Sequence, residues 1–134
     1  MSDNKKYKIL LLDDDEFISD MYSVKFKQAG YEIHAKLDAE AALEDLRNGF
    51  EPDAILTDLI MPGIDGFSFL ESVRKENLQG HAAIIVLSNQ GESADLARTQ
   101  ELGSVGHIIK ANTIPTEVLM KVTAMIEKYQ ASLK

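Results

Sequence analysis

The sequence predicts an α/β fold, a doubly wound five-stranded parallel sheet with five helices packed on its two faces. Three observations carry that expectation. Strand-like and helix-like stretches alternate from end to end of the 134 residues. Most strand stretches are short, nearly continuous apolar runs, as in a parallel sheet covered on both faces. Four of them stop on a charged or hydroxyl residue: Asp13-Asp14-Asp15, Asp58, Ser88 and Lys110. Alternation of this kind gives right-handed crossovers, so all strands point the same way. Those four stops then lie along one edge, outside the carboxyl ends of the strands, where such sheets bind ligands.

The elements follow in order. Residues 8–12 form an apolar strand. Residues 15–28 carry Phe17, Ile18, Met21, Val24 and Phe26 at near-helical spacing, closed by Ala29-Gly30. Residues 31–36 alternate as a strand. Asp38 is placed to cap a helix containing Ala42, Leu43 and Leu46, which Asn48-Gly49 ends. Residues 54–57 are the third strand, introduced by Pro52, and the turn-rich segment 61–66 follows. Residues 67–77 show Phe67, Leu70 and Val73 on one helical face. Residues 83–87 read as a central strand, 92–102 as a shorter polar helix closed by Gly103, and 105–109 as a weak last strand. Pro115 suits the first turn of a helix to about residue 130, with Val118, Val122, Met125, Ile126 and Tyr129 as its buried stripe. No repeat, low-complexity tract or linker interrupts the pattern, so residues 1–134 read as one domain with its core at about 7–130.

Composition excludes several function classes. A net charge of −8 argues against direct nucleic-acid binding and against anionic membranes. No stretch approaches the roughly 20 apolar residues needed to span a bilayer, and the first residues do not form a signal peptide, so the cytoplasm is the expected compartment. Cysteine is absent, which removes disulfides, thiol catalysis and thiolate metal sites. His34, His81 and His107 are scattered, so a multi-histidine zinc site is not expected.

The strand-end residues allow specific chemistry. Asp13, Asp14 and Asp58 offer hard oxygen ligands of the kind Mg²⁺ accepts. A lone acidic run is as readily a turn and helix cap, and Asp15 and Glu16 fit that role. Asp58 on a second strand end favours the metal reading for Asp13 and Asp14. A carboxylate can also accept a phosphoryl group as a mixed anhydride, which makes Asp58 the nucleophile candidate. Lys110 can pair with one phosphoryl oxygen and Ser88 can donate to another. Singly, each of these residues is more often a cap, a turn residue or a solvated charge. Their joint placement on separate strand ends is the specific signal.

At these residues the chain resembles the receiver domain of bacterial two-component response regulators, over nearly its full length. Asp13 and Asp14 match the family's acidic pair, Asp58 its phospho-accepting aspartate, Ser88 its switch Ser/Thr and Lys110 its lysine. The segment Asp58-Leu59-Ile60-Met61-Pro62-Gly63-Ile64-Asp65-Gly66 follows the family's motif. The resemblance implies a flavodoxin-like strand order of 2-1-3-4-5. It implies Mg²⁺-dependent phosphorylation of Asp58 from the phosphohistidine of a sensor histidine kinase or phosphotransfer protein. Asp14, Asp58 and the backbone carbonyl of Ile60 would contact the metal, with Asp13 acting largely through water. Ser88 would move toward the phosphoryl group and change the surface of the fourth helix, fifth strand and fifth helix, where an output protein would bind. The protein would be a phospho-acceptor with self-catalysed phosphorylation and dephosphorylation rather than a turnover enzyme. The chain reads as a single-domain regulator or a receiver excised from a larger protein, and the Met1 start and short tail favour the first.

Two positions depart from the family pattern. His107 stands where an aromatic switch residue is usual, and is expected to act as the switch, with a pH-dependent charge. Ala111 stands where proline commonly follows the lysine through a cis bond. A cis bond before a non-proline residue costs roughly 3 kcal/mol, so a trans Lys110–Ala111 bond and an altered loop through Asn112-Thr113 are expected. Asn89, Gln90 and Ile60 flank the site and are expected to control water attack on a phosphoaspartate. Two alternatives compete with this reading. A haloacid-dehalogenase-like phosphatase would use the Asp-x-Asp spacing within Asp13-Asp14-Asp15, Ser88-Asn89 and Lys110. It lacks a following acidic motif, since only Glu117 and Glu127 come later, and it leaves Asp58 unexplained. A pseudo-receiver that only binds partners would not need all five positions filled.

Overall fold

The apolar runs become strands because both of their faces are covered. In the protein, shown by a computed structural model that describes residues 6–61, 63–89 and 93–133, β1 (Lys8–Leu12), β2 (Glu32–Lys36), β3 (Ala54–Thr57), β4 (Ala83–Ser88) and β5 (Ser104–Ile109) form one parallel sheet. Its order is β2-β1-β3-β4-β5, as the resemblance implied. Helices α1 (Glu16–Gln28), α2 (Ala39–Arg47), α3 (Gly66–Lys75), α4 (Ser93–Glu101) and α5 (Pro115–Ser132) fill the crossovers. Residues 90–92, on which the expected start of α4 and the flanking Gln90 fall, lie outside the described residues.

The period-2 alternation of each strand divides the core into layers. Ile9 and Leu11 of β1 face α1 and α5, among Tyr22, Phe26, Val118, Val122 and Ile126. Leu10 and Leu12 face α2 and α3, among Leu43, Leu46, Phe69, Leu70 and Val73. A small third cluster of Leu59, Phe67 and Val86 lies beside it, with Leu102 at the end of α4 packed against it. Removing a ring such as Phe26 or Phe69, both fully buried, costs about 3–5 kcal/mol.

Aspartates start three helices. Asp15, Asp38 and Asp65 each accept an N–H three residues on, from Ile18, Ala41 and Ser68. Each cap contributes about 1 kcal/mol. At α5, Pro115 occupies the first turn and Glu117 reaches back to the Ile114 N–H.

Three expectations need correction. In α1, two stripes of helical spacing coexist, and the buried one is Ser19, Tyr22, Ser23 and Phe26. Phe17 is 77% exposed, and Met21 and Val24 are also exposed. The two rings fill the layer against α5 and the hydroxyl residues allow close approach, so bulk outranks the count of apolar residues. In α5 the fully buried stripe is Val118, Val122 and Ile126, whereas Met125 and Tyr129 are only half-buried. Met125 lies over Gly106, where a Cβ would come within 2.4 Å of its sulfur. Last, β5 begins at Ser104, and its register against β4 shifts between Ile84 and Ile85. Such a bulge inserts an extra residue into the ladder, here tied down by Ser104 Oγ donating to the Gly106 carbonyl at 3.0 Å.

Candidate functional site

Strand register assembles the site. Leu12 pairs with Thr57, so the next residues, Asp13 and Asp58, stand side by side at the point where strand order reverses. Thr57 pairs with Val86 and Ser88 with Ile109, so Ser88 and Lys110 continue the same edge as a staircase. A cavity of about 320 Å³ opens there, lined by Asp13, Asp14, Asp15, Ile18, Asp58, Leu59, Ile60, Ser88, Asn89 and Lys110.

The strand ends and their alternation give each acid its own environment. Asp13 is 1% exposed, whereas Asp14 is exposed at the same cleft. Asp13 Oδ1 accepts the Asp15 N–H at 2.9 Å and Oδ2 accepts Lys110 Nζ at 2.5 Å. The same ammonium donates to Asp58 Oδ2 at 2.9 Å. Asp58 Oδ1 is fixed by the backbone N–H groups of Leu59 at 2.7 Å and Ile60 at 3.4 Å. Burial pushes the Asp13 carboxyl above its ordinary range, against the opposing pull of Lys110 and the Asp15 N–H. For Lys110, burial favours the neutral amine, but the Asp13 and Asp58 carboxylates outweigh it and hold the ammonium above its usual range. Tyr22 is buried near Lys110 and Asp13, and burial raises its phenol.

One ammonium therefore bridges two of three clustered carboxylates. The ligand oxygens of Asp13, Asp14 and Asp58 lie within 4.8 Å of one another. An all-oxygen set with open space beside it fits a hard divalent cation such as Mg²⁺, and the group found among the described residues holds no soft ligand to favour another metal.

The loop that carries Lys110 is tightly built. Residues Lys110–Asn112 form a single 3-10 turn, closed by Thr113 N–H to the Lys110 carbonyl and by Thr113 Oγ1 to the Ile109 carbonyl. No peptide bond among the described residues is cis, so Lys110–Ala111 is trans as expected for alanine. Ile60 stands 64% exposed at the cavity mouth, beside Asn89. Asp15 has its expected role as helix cap.

Residues 9–123 match the family described as the response regulator receiver domain. The chain belongs to that family. The receiver is 27% identical over 121 residues to the DNA-binding dual master transcriptional regulator RpaA of Synechocystis, covering 90% of this chain and 49% of the relative. It is 26% identical to the phosphate regulon transcriptional regulatory protein PhoB of Escherichia coli, covering 90% of this chain and 52% of PhoB. The chain thus spans about half the length of these curated relatives. Among solved structures, the chemotaxis protein CheY4 of Vibrio cholerae superposes with a TM-score of 0.82 at 26% identity, covering 90% of this chain and 99% of CheY4. Neither the family match nor these relatives support the phosphatase alternative. The receiver carries no helix, among the described residues, long and apolar enough to cross a membrane.

The structure places Asp13, Asp14, Asp58, Ile60, Ser88, Asn89 and Lys110 around one cavity, and it adds three features. The Leu59 and Ile60 N–H groups orient Asp58, which no side-chain pattern announces. Tyr22 stands close enough to Lys110 and Asp13 to feel their charges, although it lies outside the stripe expected of α1. Gly66 belongs to the motif for a steric reason: a Cβ there would lie 2.0 Å from the Asp58 carbonyl oxygen and 2.7 Å from Leu59 Cα. The signal for it was present, since α3 must begin against the acceptor loop and only glycine leaves room.

Proposed function

We propose that the receiver is a phosphorylation switch in which Asp58 accepts a phosphoryl group from a phosphohistidine of a sensor kinase or phosphotransfer protein. The observation that carries this reading is the Lys110 ammonium bridging Asp13 and Asp58 at 2.5 and 2.9 Å inside an open acidic cleft. Because two N–H groups hold Asp58 Oδ1, Oδ2, which accepts from Lys110, is the oxygen placed to attack phosphorus once that ammonium shifts. The new bond joins Oδ2 to phosphorus as the bond from phosphorus to the donor imidazole breaks, and the imidazole leaves with a proton. Lys110 then passes from the Asp58 carboxylate to a phosphoryl oxygen, and Ser88 donates to another. Asp14, Asp58 and the Ile60 carbonyl would hold Mg²⁺, with Asp13 helping through water. When bound, the ion offsets repulsion between the carboxylates and the phosphoryl group. Ile60 and Asn89 at the mouth restrict water and so set the lifetime of the phosphoaspartate.

This chemistry occurs once per switching event on the protein itself, so the receiver signals rather than turns over substrate. Capture of Ser88 biases a two-state equilibrium of the α4–β5–α5 surface toward the form an output protein recognises. The experiment is incubation with Mg²⁺ and acetyl phosphate, followed by intact mass. Wild type gains one phosphoryl group and Asp58→Asn gains none. An adduct on Asp58→Asn overturns the assignment. Turnover of a phosphate monoester that survives Asp58→Asn but not Asp13→Asn identifies a hydrolase. Absence of any Mg²⁺-dependent adduct identifies a binding module.

A further inference from the structure

His34 stands apart from the acceptor cleft, on β2 at the edge of the sheet. Its register opposite Leu10 puts it on the α2 face, and Glu32, two residues earlier, shares that face. The imidazole is fixed from two directions. Phe50 stacks on it with ring centroids 3.7 Å apart and planes 12° from parallel. Asp45 of α2 places Oδ2 2.6 Å from Nδ1. Two other acids of α2, Glu40 and Glu44, turn instead to Arg47 at 3.6 and 3.7 Å. A carboxylate accepts, so the Nδ1 hydrogen goes to Asp45 and the neutral ring carries its lone pair on Nε2. That nitrogen faces a second carboxylate, Glu32 Oε2, at 2.9 Å.

Two acceptor atoms this close repel each other unless a cation lies between them. A proton is one such cation, and a metal ion that displaces it is another. Two ligand atoms held at a right angle, each about 2.1 Å from one ion, lie about 3.0 Å apart. The gap between Nε2 and Oε2 matches that separation. Imidazole with carboxylate suits nickel, copper and zinc rather than Mg²⁺. A histidine whose other nitrogen donates to a carboxylate is also the usual form of a metal ligand. We propose that Glu32 Oε2 and His34 Nε2 bind a divalent transition-metal ion of the nickel–copper–zinc group, with Asp45 and Phe50 positioning the imidazole.

The Glu32 side chain is 55% exposed, so the ion enters from solvent and water fills its remaining positions. With two protein ligands the site is open and exchangeable, unlike a closed four-ligand structural zinc centre. When the ion binds, a proton on Nε2 leaves to water, while the Nδ1 hydrogen stays on its bond to Asp45. The ion then fastens the edge strand to α2 through the ring. His81 provides the contrast. Its Nε2 lies 3.1 Å from Asp53 Oδ1, but that oxygen also accepts from Gln130, and Oδ2 accepts the Lys8 N–H. Asp53 is already supplied with donors, so the second histidine–carboxylate pair is a structural contact. The metal site is independent of the phosphorylation of Asp58.

The test titrates Ni²⁺ into wild type, Glu32→Gln, His34→Gln, Asp45→Asn and His81→Gln in buffer containing Mg²⁺, reading paramagnetic broadening of assigned amide signals. In wild type, the signals of Glu32, Ile33, His34, Asp45 and Phe50 broaden together with one affinity. Glu32→Gln and His34→Gln each weaken that affinity at least tenfold, and Asp45→Asn weakens it about tenfold. His81→Gln leaves it unchanged. With diamagnetic Zn²⁺, the imidazole nitrogen spectrum of His34 shows Nε2 shifting while Nδ1 keeps its hydrogen. Asp45→Asn weakens that signature, which loss of packing alone does not do. Broadening confined to the acidic cleft, equal broadening around all three histidines, or an affinity that Glu32→Gln leaves unchanged overturns the proposal. Glu32 is exposed, so its variant keeps the fold and the comparison even where His34→Gln does not.

Discussion

At the amino ends of the strands, Asp53 accepts the Lys8 N–H at 2.8 Å and the Gln130 amide at 3.2 Å, and His81 Nε2 lies 3.1 Å from the same carboxylate. At the carboxyl ends, Asp13 and Asp58 share the one Lys110 ammonium while Asp14 stands beside them. The residue type is the same at both ends of the sheet, but its surroundings are not. Asp53 is surrounded by donors and ties β3, β1 and α5 together. The opposite end carries more negative charge than its one cation neutralises. A site in that condition is destabilised when empty and gains most from a cation and a phosphoryl group, the usual exchange of stability for function. The comparison teaches that the number of donors per carboxylate, not the presence of aspartate, separates the binding end from the structural end.

The largest test of that difference is Lys110→Met. It leaves Asp13 and Asp58 without their cation, and without Mg²⁺ it costs about 3–5 kcal/mol by urea denaturation. The pH dependence has a definite sign. The folded protein holds Lys110 protonated above its ordinary range. That contribution is complete below about pH 10.4 and disappears as pH rises through the raised value. Wild type therefore loses stability in that alkaline window through Lys110, and the loss attributable to this group is absent from Lys110→Met. A Lys110→Met protein as stable as wild type at pH 7 would break the comparison.

The next effect is at the other end. Asp53→Asn keeps the shape but removes the charge that gathers Lys8, His81 and Gln130, and costs about 1–2 kcal/mol. It leaves Mg²⁺-dependent phosphorylation of Asp58 intact by mass. Lost phosphorylation in a folded Asp53→Asn protein would show that the two ends are not separable. The smallest effect is Asp58→Asn in Mg²⁺-free buffer. Removing one of three clustered carboxylates leaves stability unchanged or raises it by roughly 0.5–1 kcal/mol, because Lys110 keeps Asp13. Adding Mg²⁺ reverses the ranking, since wild type binds the ion more tightly and is stabilised by mass action. If Asp58→Asn costs as much as Asp53→Asn without Mg²⁺, Asp58 is a structural residue.

Much of this was legible before any coordinates. The strand at residues 8–12 and that at 54–57 matched to the residue, because continuous apolar runs bounded by Asp and Pro leave little choice. Asp15 and Asp38 capped helices as short polar residues before apolar stripes do, whereas Asp65, which read as part of a turn, proved to cap α3. The face of α1 was not legible, because Phe17, Met21 and Val24 have helical spacing as good as that of Tyr22 and Phe26. Which stripe turns inward depends on what α5 and the sheet leave open. The start of β5 was missed for a related reason: a bulge at Ser104–Gly106 breaks the period that a strand would otherwise show.

By itself the sequence determined which residues end the strands and therefore which chemistry is available along one edge: Asp13, Asp14, Asp58, Ser88 and Lys110. Strand length and side-chain period are local properties, written in consecutive residues. Only the tertiary structure decided who faces whom. It buried Asp13 against the Lys110 ammonium and left Asp14 exposed at the same cleft, though the two are adjacent in the chain. It seated one ammonium between Asp13 and Asp58, and it set His107 against Ser88. Those pairings come from strand order and register across the sheet, which join residues up to 97 positions apart.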